Sequence, residues 1–234
     1  MRDNFRTTVL ALALFVTLIF IFGYFADPGP AWLRLGALLF LGSMFIAVYM
    51  GDKLKLEKQP KRTFLYFAYG SNMCIEWLRD KCPSAKLVGL GMAENYLLSF
   101  TKLSKDASGK ATIEKSGHTR TYGVVFEIDE SEKTSLDREE GVGYESEHIW
   151  IWMPSKQRKE LVVAYFSKNT EKGLLPYNWY LDLVVKGAKQ GSLPQDYIAS
   201  LEKQQNTRDN DMSRNTRKKA LLILEGSGVL GQHS

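Results

Sequence analysis

Residues 64–72, FLYFAYGSN, constrain this 234-residue chain more than any other stretch. Phe64, Leu65, Tyr66 and Phe67 favour the pleated, packed surface of a strand. The run then breaks at Tyr69-Gly70-Ser71-Asn72. Gly70 admits backbone angles that other residues resist, and Ser71 or Asn72 can cap a helix over 73–80. A strand, a tight turn and a helix start gather unpaired backbone N–H groups, which suits an anionic or carbonyl oxygen of a ligand. The stretch lacks the glycines and Lys-Ser/Thr ending of an ATP-binding loop, and the spacing of a dinucleotide fingerprint. An ordinary strand-to-helix turn is the plain alternative.

Two apolar runs precede it. Residues 9–26 carry no charge and follow Arg2 and Arg6, while 31–50 holds only Arg34 near its start. Each matches the ~17–25 residues of a membrane span. Asp27-Pro28-Gly29-Pro30 separates them, and Trp32 and Tyr49 suit interfacial positions. The reading is a two-helix transmembrane hairpin, 9–26 and 31–50, with the lipid bilayer as a partner. Arg2, Arg6 and the basic residues beyond Met50 place both ends, and the globular domain, on the cytoplasmic side. A signal peptide ending near Ala26 is the alternative, but it leaves the second run unexplained. Residues 51–63 then form a basic linker, 64–209 the globular domain and 210–234 a polar, basic tail.

The formal charge of +5 comes from localised clusters. Lys53, Lys55, Lys58, Lys61 and Arg62 flank the apolar runs, and Arg214, Arg217, Lys218 and Lys219 lie near the end. Neither cluster is interleaved with aromatics for base stacking, so nucleic acid is not an expected partner. Cys74 and Cys82 make no disulfide framework or metal quartet, and His118, His148 and His233 are widely separated. No metal or cofactor is expected, and the cysteine usage fits a reducing compartment.

Past the opening strand, 86–92 and 96–101 read as strands joined by a turn at 93–95, followed by a loop at 104–110. Strands follow at 111–114 and 121–128, and Asp129 can cap a helix over 130–139 anchored by Leu136. A strand pair, 147–153 and 160–166, precedes helices at 176–189 and 193–205. The polar stretch 206–216 reads as mobile. The pattern is α+β with an antiparallel or mixed sheet.

Tyr66-Phe67-Ala68-Tyr69-Gly70-Ser71-Asn72 resembles the signature of the gamma-glutamylcyclotransferase family and its AIG2-like relatives. The likeness continues at Tyr122-Gly123-Val124-Val125-Phe126, at Leu136-Asp137-Arg138-Glu139-Glu140-Gly141-Val142, at Trp179-Tyr180 and at Gly187-Ala188-Lys189. It covers roughly residues 64–209. The resemblance implies a small, partly closed mixed or antiparallel β-barrel with packed helices. It implies Glu140 as the catalytic residue, and Tyr66, Phe67, Ala68, Tyr69, Gly70, Ser71 and Tyr180 as substrate contacts, with Asn72 and Tyr144 as pocket support. The implied reaction is cyclisation of a gamma-glutamyl amino acid or amine to 5-oxoproline, with no metal or cofactor.

The residue chemistry is compatible with that role. At the carboxyl end of a helix over 130–139, with Gly141 as a left-handed cap, Glu140 meets an unfavourable helix dipole. Partial burial would also disfavour its charge, moving it towards a general acid/base near neutral pH. A solvated acidic helix end, among Glu132, Asp137, Glu139, Glu145 and Glu147, is the plain alternative. For Tyr180 the alternative is a helix-packing aromatic. At the level of function, the alternatives are an inactive gamma-glutamyl-binding or membrane scaffolding domain, and an enzyme that deprotects a carrier-linked gamma-glutamyl product.

Overall fold

Strand β1, Thr63–Ala68, forms where the aromatic run predicts it and is paired along both edges. In sequence order the other strands are β2, Lys86–Leu103; β3, Gly109–Asp129; β4, Tyr144–Met153; and β5, Arg158–Ser167. The ring runs β1-β3-β2-β4-β5 and closes through a parallel contact, Tyr66↔Val163. Every other neighbour is antiparallel. Closure removes the exposed edges that an open sheet of this length would present. The sequence-based expectation of an α+β barrel with packed helices holds, and the barrel is fully closed.

The computed structural model describes residues 61–226, together with helical positions 41, 42, 44, 45, 48 and 49. Lys61–Ser234 belongs to one compact unit. The membrane expectation requires correction. The hairpin at 9–26 and 31–50 falls almost entirely outside the described residues, and among those described no helix is long and apolar enough to cross a membrane. A two-span topology, a cytoplasmic placement and a bilayer partner are therefore not carried forward.

Five helices pack on the barrel unit: α1, Ile75–Arg79; α2, Lys133–Glu140; α3, Asn178–Gln190; α4, Gln195–Glu202; and α5, Asn215–Glu225. Phe67, Phe126, Ile151 and Met153 are fully buried on the strands. Helix α3 contributes Leu183, Val184 and Ala188 to the same continuous core. Its Gly187 permits an unusually close approach. A Cβ there would stand 2.3 Å from both the Met73 carbonyl carbon and the Cys74 nitrogen. The backbone of α3 thus rests directly on the turn that follows β1.

Several local expectations change. The turn expected at 93–95 is a bulge inside one continuous strand, with Asn95 at φ 63° and the register shifting between Glu94 and Tyr96. An αL residue bends a strand in this way without ending it. The separate strands expected at 111–114 and 121–128 are likewise one strand. Neither Ser71 nor Asn72 caps α1, because Ser71–Met73 is a 3₁₀ turn and Cys74 occupies the cap position. Asp129 makes no side-chain cap to the turn that follows it and instead pairs with Lys61 at 2.9 Å.

Candidate active site

The turn after β1 opens into a cavity of about 230 Å³. Its bonds run from the Met73 and Cys74 amides to the Gly70 and Ser71 carbonyls, at 3.0 and 3.1 Å. The amides of Gly70 and Ser71 themselves take no part in closing it, as expected for the first residues of a helical turn. Gly70 has φ −117°, which lies outside the left-handed region, so backbone freedom is not why glycine is needed here. Space is the reason. A Cβ would lie 2.9 Å from the Ala111 methyl and 3.1 Å from Tyr180 Oη.

Tyr66, Tyr69, Gly70, Ser71, Asn72, Tyr144 and Tyr180 all line the cavity. Phe67 and Ala68 do not. They are buried in the core beside the lining residues Tyr66 and Tyr69. Asn72 Nδ2 donates to Tyr66 Oη at 3.0 Å, and Lys81 Nζ donates to Asn72 Oδ1 at 3.0 Å. Asn72 therefore fixes the turn to the strand. Tyr180 Oη accepts the Ala111 N–H at 3.0 Å, and Tyr144 Oη donates to the Ala111 carbonyl at 2.7 Å. One residue of β3 is thus gripped by tyrosines from α3 and β4.

Glu140 is the last residue of α2. Its side chain lies outside the described atoms. Gly141 follows with φ 72° and ψ −168°, so its φ is positive as expected but its ψ is extended and not αL. A 3₁₀ turn, Gly141–Gly143, then leads into Tyr144 at the cavity wall. Helix α2 is anchored on this side. Leu136 is fully buried, and Asp137 accepts the Tyr165 hydroxyl at 2.5 Å, while Lys133 donates to Tyr165 Oη at 3.3 Å and also pairs with Asp137. Burial would raise the Asp137 carboxyl, but the Lys133 and Tyr165 bonds hold it below its ordinary value. Tyr165 itself lines the cavity and accepts the Tyr69 hydroxyl on its carbonyl.

Sequence reasoning missed the cationic part of the wall. Lys81, Lys102 and Lys110 line it, as do Asp106, Trp77, Trp179 and Thr216. Lys110 Nζ lies 4.6 Å from the Tyr180 ring centroid, 4.8 Å from that of Trp179 and 5.6 Å from that of Tyr177. Lys102 Nζ lies 5.1 Å from the Tyr144 centroid. Burial pushes the Lys110 ammonium below its ordinary pKa, with Asp106 opposing. The Asp106 carboxyl would rise on burial, but the Ser108 and Lys110 bonds hold it below the usual range. Nothing in the local sequence separates these lysines from solvated ones; only the partial resemblance around Trp179-Tyr180 marked this wall.

An AIG2-like family model matches residues 120–201, which include Glu140 and Tyr180 but not the 69–72 turn. The chain is 30% identical over 152 residues to a gamma-glutamylcyclotransferase of Bos taurus, covering 62% of this chain and 81% of that protein. It is 31% identical over 150 residues to the Mus musculus gamma-glutamylcyclotransferase, covering 62% and 80%. A solved gamma-glutamyl cyclotransferase superposes with TM-score 0.64 at 26% identity, across 70% of this chain and all of that one, 100%. The crystal structure of an uncharacterised Homo sapiens protein gives TM-score 0.62 at 27% identity, over 69% of this chain and 98% of that one. With its cavity, barrel and relatives in agreement, the chain belongs to the gamma-glutamylcyclotransferase family of enzymes.

Proposed function

We propose that this chain cyclises a gamma-glutamyl amino acid or amine to 5-oxoproline and releases the amino acid or amine, with Glu140 moving the protons. The observation that carries this reading is the meeting of the 69–72 turn, Tyr144 and Tyr180 around one cavity, in a member of this family. The 3₁₀ turn from Glu140 to Tyr144, and the Tyr165 bonds that tie α2 to the wall, support the assignment to Glu140.

In this reading Glu140 takes a proton from the substrate's α-ammonium, and the freed amine attacks the γ-carbonyl carbon. Enforced proximity makes the attack effectively intramolecular. Negative charge on the carbonyl oxygen develops beside the Gly70 and Ser71 amides, which the turn preorganises. The attacking nitrogen gives up a second proton as it becomes the lactam N–H, and the bond to the departing nitrogen breaks. Glu140 hands on both protons in turn, so that this nitrogen leaves as an ammonium. No water is consumed. Tyr66, Tyr69 and Tyr180 shape the pocket around the glutamyl chain, while Asn72 and Tyr144 hold the turn and Ala111 in place.

The test uses the full chain and quantifies 5-oxoproline from gamma-glutamyl dipeptides, glutathione and gamma-glutamylamines. Turnover of at least one class is expected, and absence of product from all three ends the proposal.

A further inference from the structure

Lys110 is a largely, but not fully, buried charge that the cyclisation scheme leaves unused. Its side chain is 14% exposed, and lysine is rarely withdrawn from water without a partner or a task. The ammonium donates to Ser108 Oγ at 2.9 Å and to Asp106 Oδ2 at 3.3 Å, and the rings of Tyr177, Trp179 and Tyr180 surround it. Such a cage holds a cation in place through the negative faces of the rings. An ammonium has three donors, and Ser108 and Asp106 take two of them. The next residue, Ala111, abuts Gly70 and bonds Tyr180, so the cation stands beside the substrate-binding turn.

The wall as a whole is cationic. Among the described residues that line the cavity, Lys81, Lys102 and Lys110 face a single carboxylate, Asp106. A gamma-glutamyl amino acid carries two carboxylates and one ammonium, so its reactive form, with the amine free, is a dianion. A gamma-glutamylamine lacks the second carboxylate. That second group belongs to the fragment that must leave. Lys110 is tethered to the turn at 104–108, whose Lys105 and Ala107 are exposed to solvent.

We propose that Lys110 is a specificity residue whose caged ammonium binds the carboxylate of the departing amino acid, selecting gamma-glutamyl amino acids over gamma-glutamylamines. This rests on the cyclotransferase reading above.

The full chain and its Lys110→Met and Lys110→Arg variants are assayed for 5-oxoproline from gamma-glutamyl-alanine and gamma-glutamyl-ethylamine, which differ only in the carboxylate. Methionine keeps apolar bulk inside the cage and removes the charge. Lys110→Met should lower kcat/KM for the alanine compound roughly 10–100-fold and for the ethylamine compound by less than about 3-fold. Lys110→Arg should retain most of the preference. The readout is the ratio between two substrates in one preparation, which a loss of folded enzyme does not move, and Lys110→Gln replaces Lys110→Met if the latter does not fold. An unchanged ratio in the uncharged variant, or a wild type that turns over both compounds equally, overturns the assignment and leaves the cyclotransferase reading intact. A wild type that makes 5-oxoproline from neither compound overturns that reading itself.

Discussion

The Trp179 indole donates to Asp209 Oδ2 at 3.0 Å, joining the cavity wall to a carboxylate that is 1% exposed. Arg214 Nε reaches the same oxygen at 2.7 Å, and the guanidinium lies over the Tyr177 ring. The polar stretch expected to be mobile is therefore a strap across the aromatic side of the site, and α5 beyond it buries Ala220 and Leu224. Arg214→Ala leaves a buried carboxylate short of its charged partner. It should destabilise the fold by roughly 1–3 kcal/mol, read from the denaturant midpoint. A midpoint equal to the wild type's would show that the strap adds nothing to stability.

The same carboxylate gives a pH signature. Burial alone would raise the Asp209 pKa, but Arg214, the Asp211 amide and Trp179 hold it below its ordinary value. A folded value below the unfolded one, ~3.9, adds stability that is complete above that pH and is lost as pH falls through the folded value. The difference in melting temperature between wild type and Asp209→Asn should thus be largest near pH 6 and shrink below about pH 4. A constant gap down to pH 3 would contradict it.

At Gly70 the constraint is steric. A valine would press on Ala111 and on the Tyr180 hydroxyl, shifting the turn relative to α3. A displacement near an ångström typically lowers turnover ~100-fold. Gly70→Val should show that loss in 5-oxoproline formation while remaining folded by circular dichroism, and full activity would remove the turn from the site.

Tyr180→Phe tests the neighbouring contact. It deletes the acceptor of the Ala111 N–H and keeps the ring that packs edge-on against Phe100. An unsatisfied buried amide costs about 1–3 kcal/mol, so the thermal transition should fall even without substrate. No shift would mean that another acceptor, water included, takes the bond.

Glu140→Gln addresses the chemistry. Glutamine keeps size and polarity but cannot accept and return a proton, and such assistance is worth ~100–10,000-fold. Its 5-oxoproline rate should fall by that order, whereas Glu139→Gln, one position earlier, should retain turnover. The reverse pattern would move the proton-transfer role to Glu139.

The parts legible in the sequence were those with strong local chemistry. The aromatic run ending in Tyr69-Gly70-Ser71-Asn72 predicts a strand that breaks into a turn, and that is what β1 does. Gly141 after the polar run at 130–140 predicts a helix end, and α2 ends there. Bulged strands were harder, because Asn95 carries the same signal whether the chain reverses or only bends. The cationic wall was harder still. Lys110 looks like any loop lysine until α3, about seventy residues further on, brings Trp179 and Tyr180 around it. Asp209 and Arg214 likewise read as solvated until the indole they serve is placed beside them.

Ring closure through Tyr66 and Val163 also bears on how the chain reaches this structure. Of the five strands, β1, which leads into the 69–72 turn, emerges first from synthesis, and β5, which covers its last edge, emerges well after it. Tyr69 and Tyr165, which meet across that seam, are 96 residues apart. Contacts of such long range slow folding, because the intervening loop must be ordered before they form. Until β5 is made, β1 keeps one edge unpaired and the cavity lacks a wall, so a nascent or truncated chain ending before Val163 presents an adhesive strand in place of a binding site.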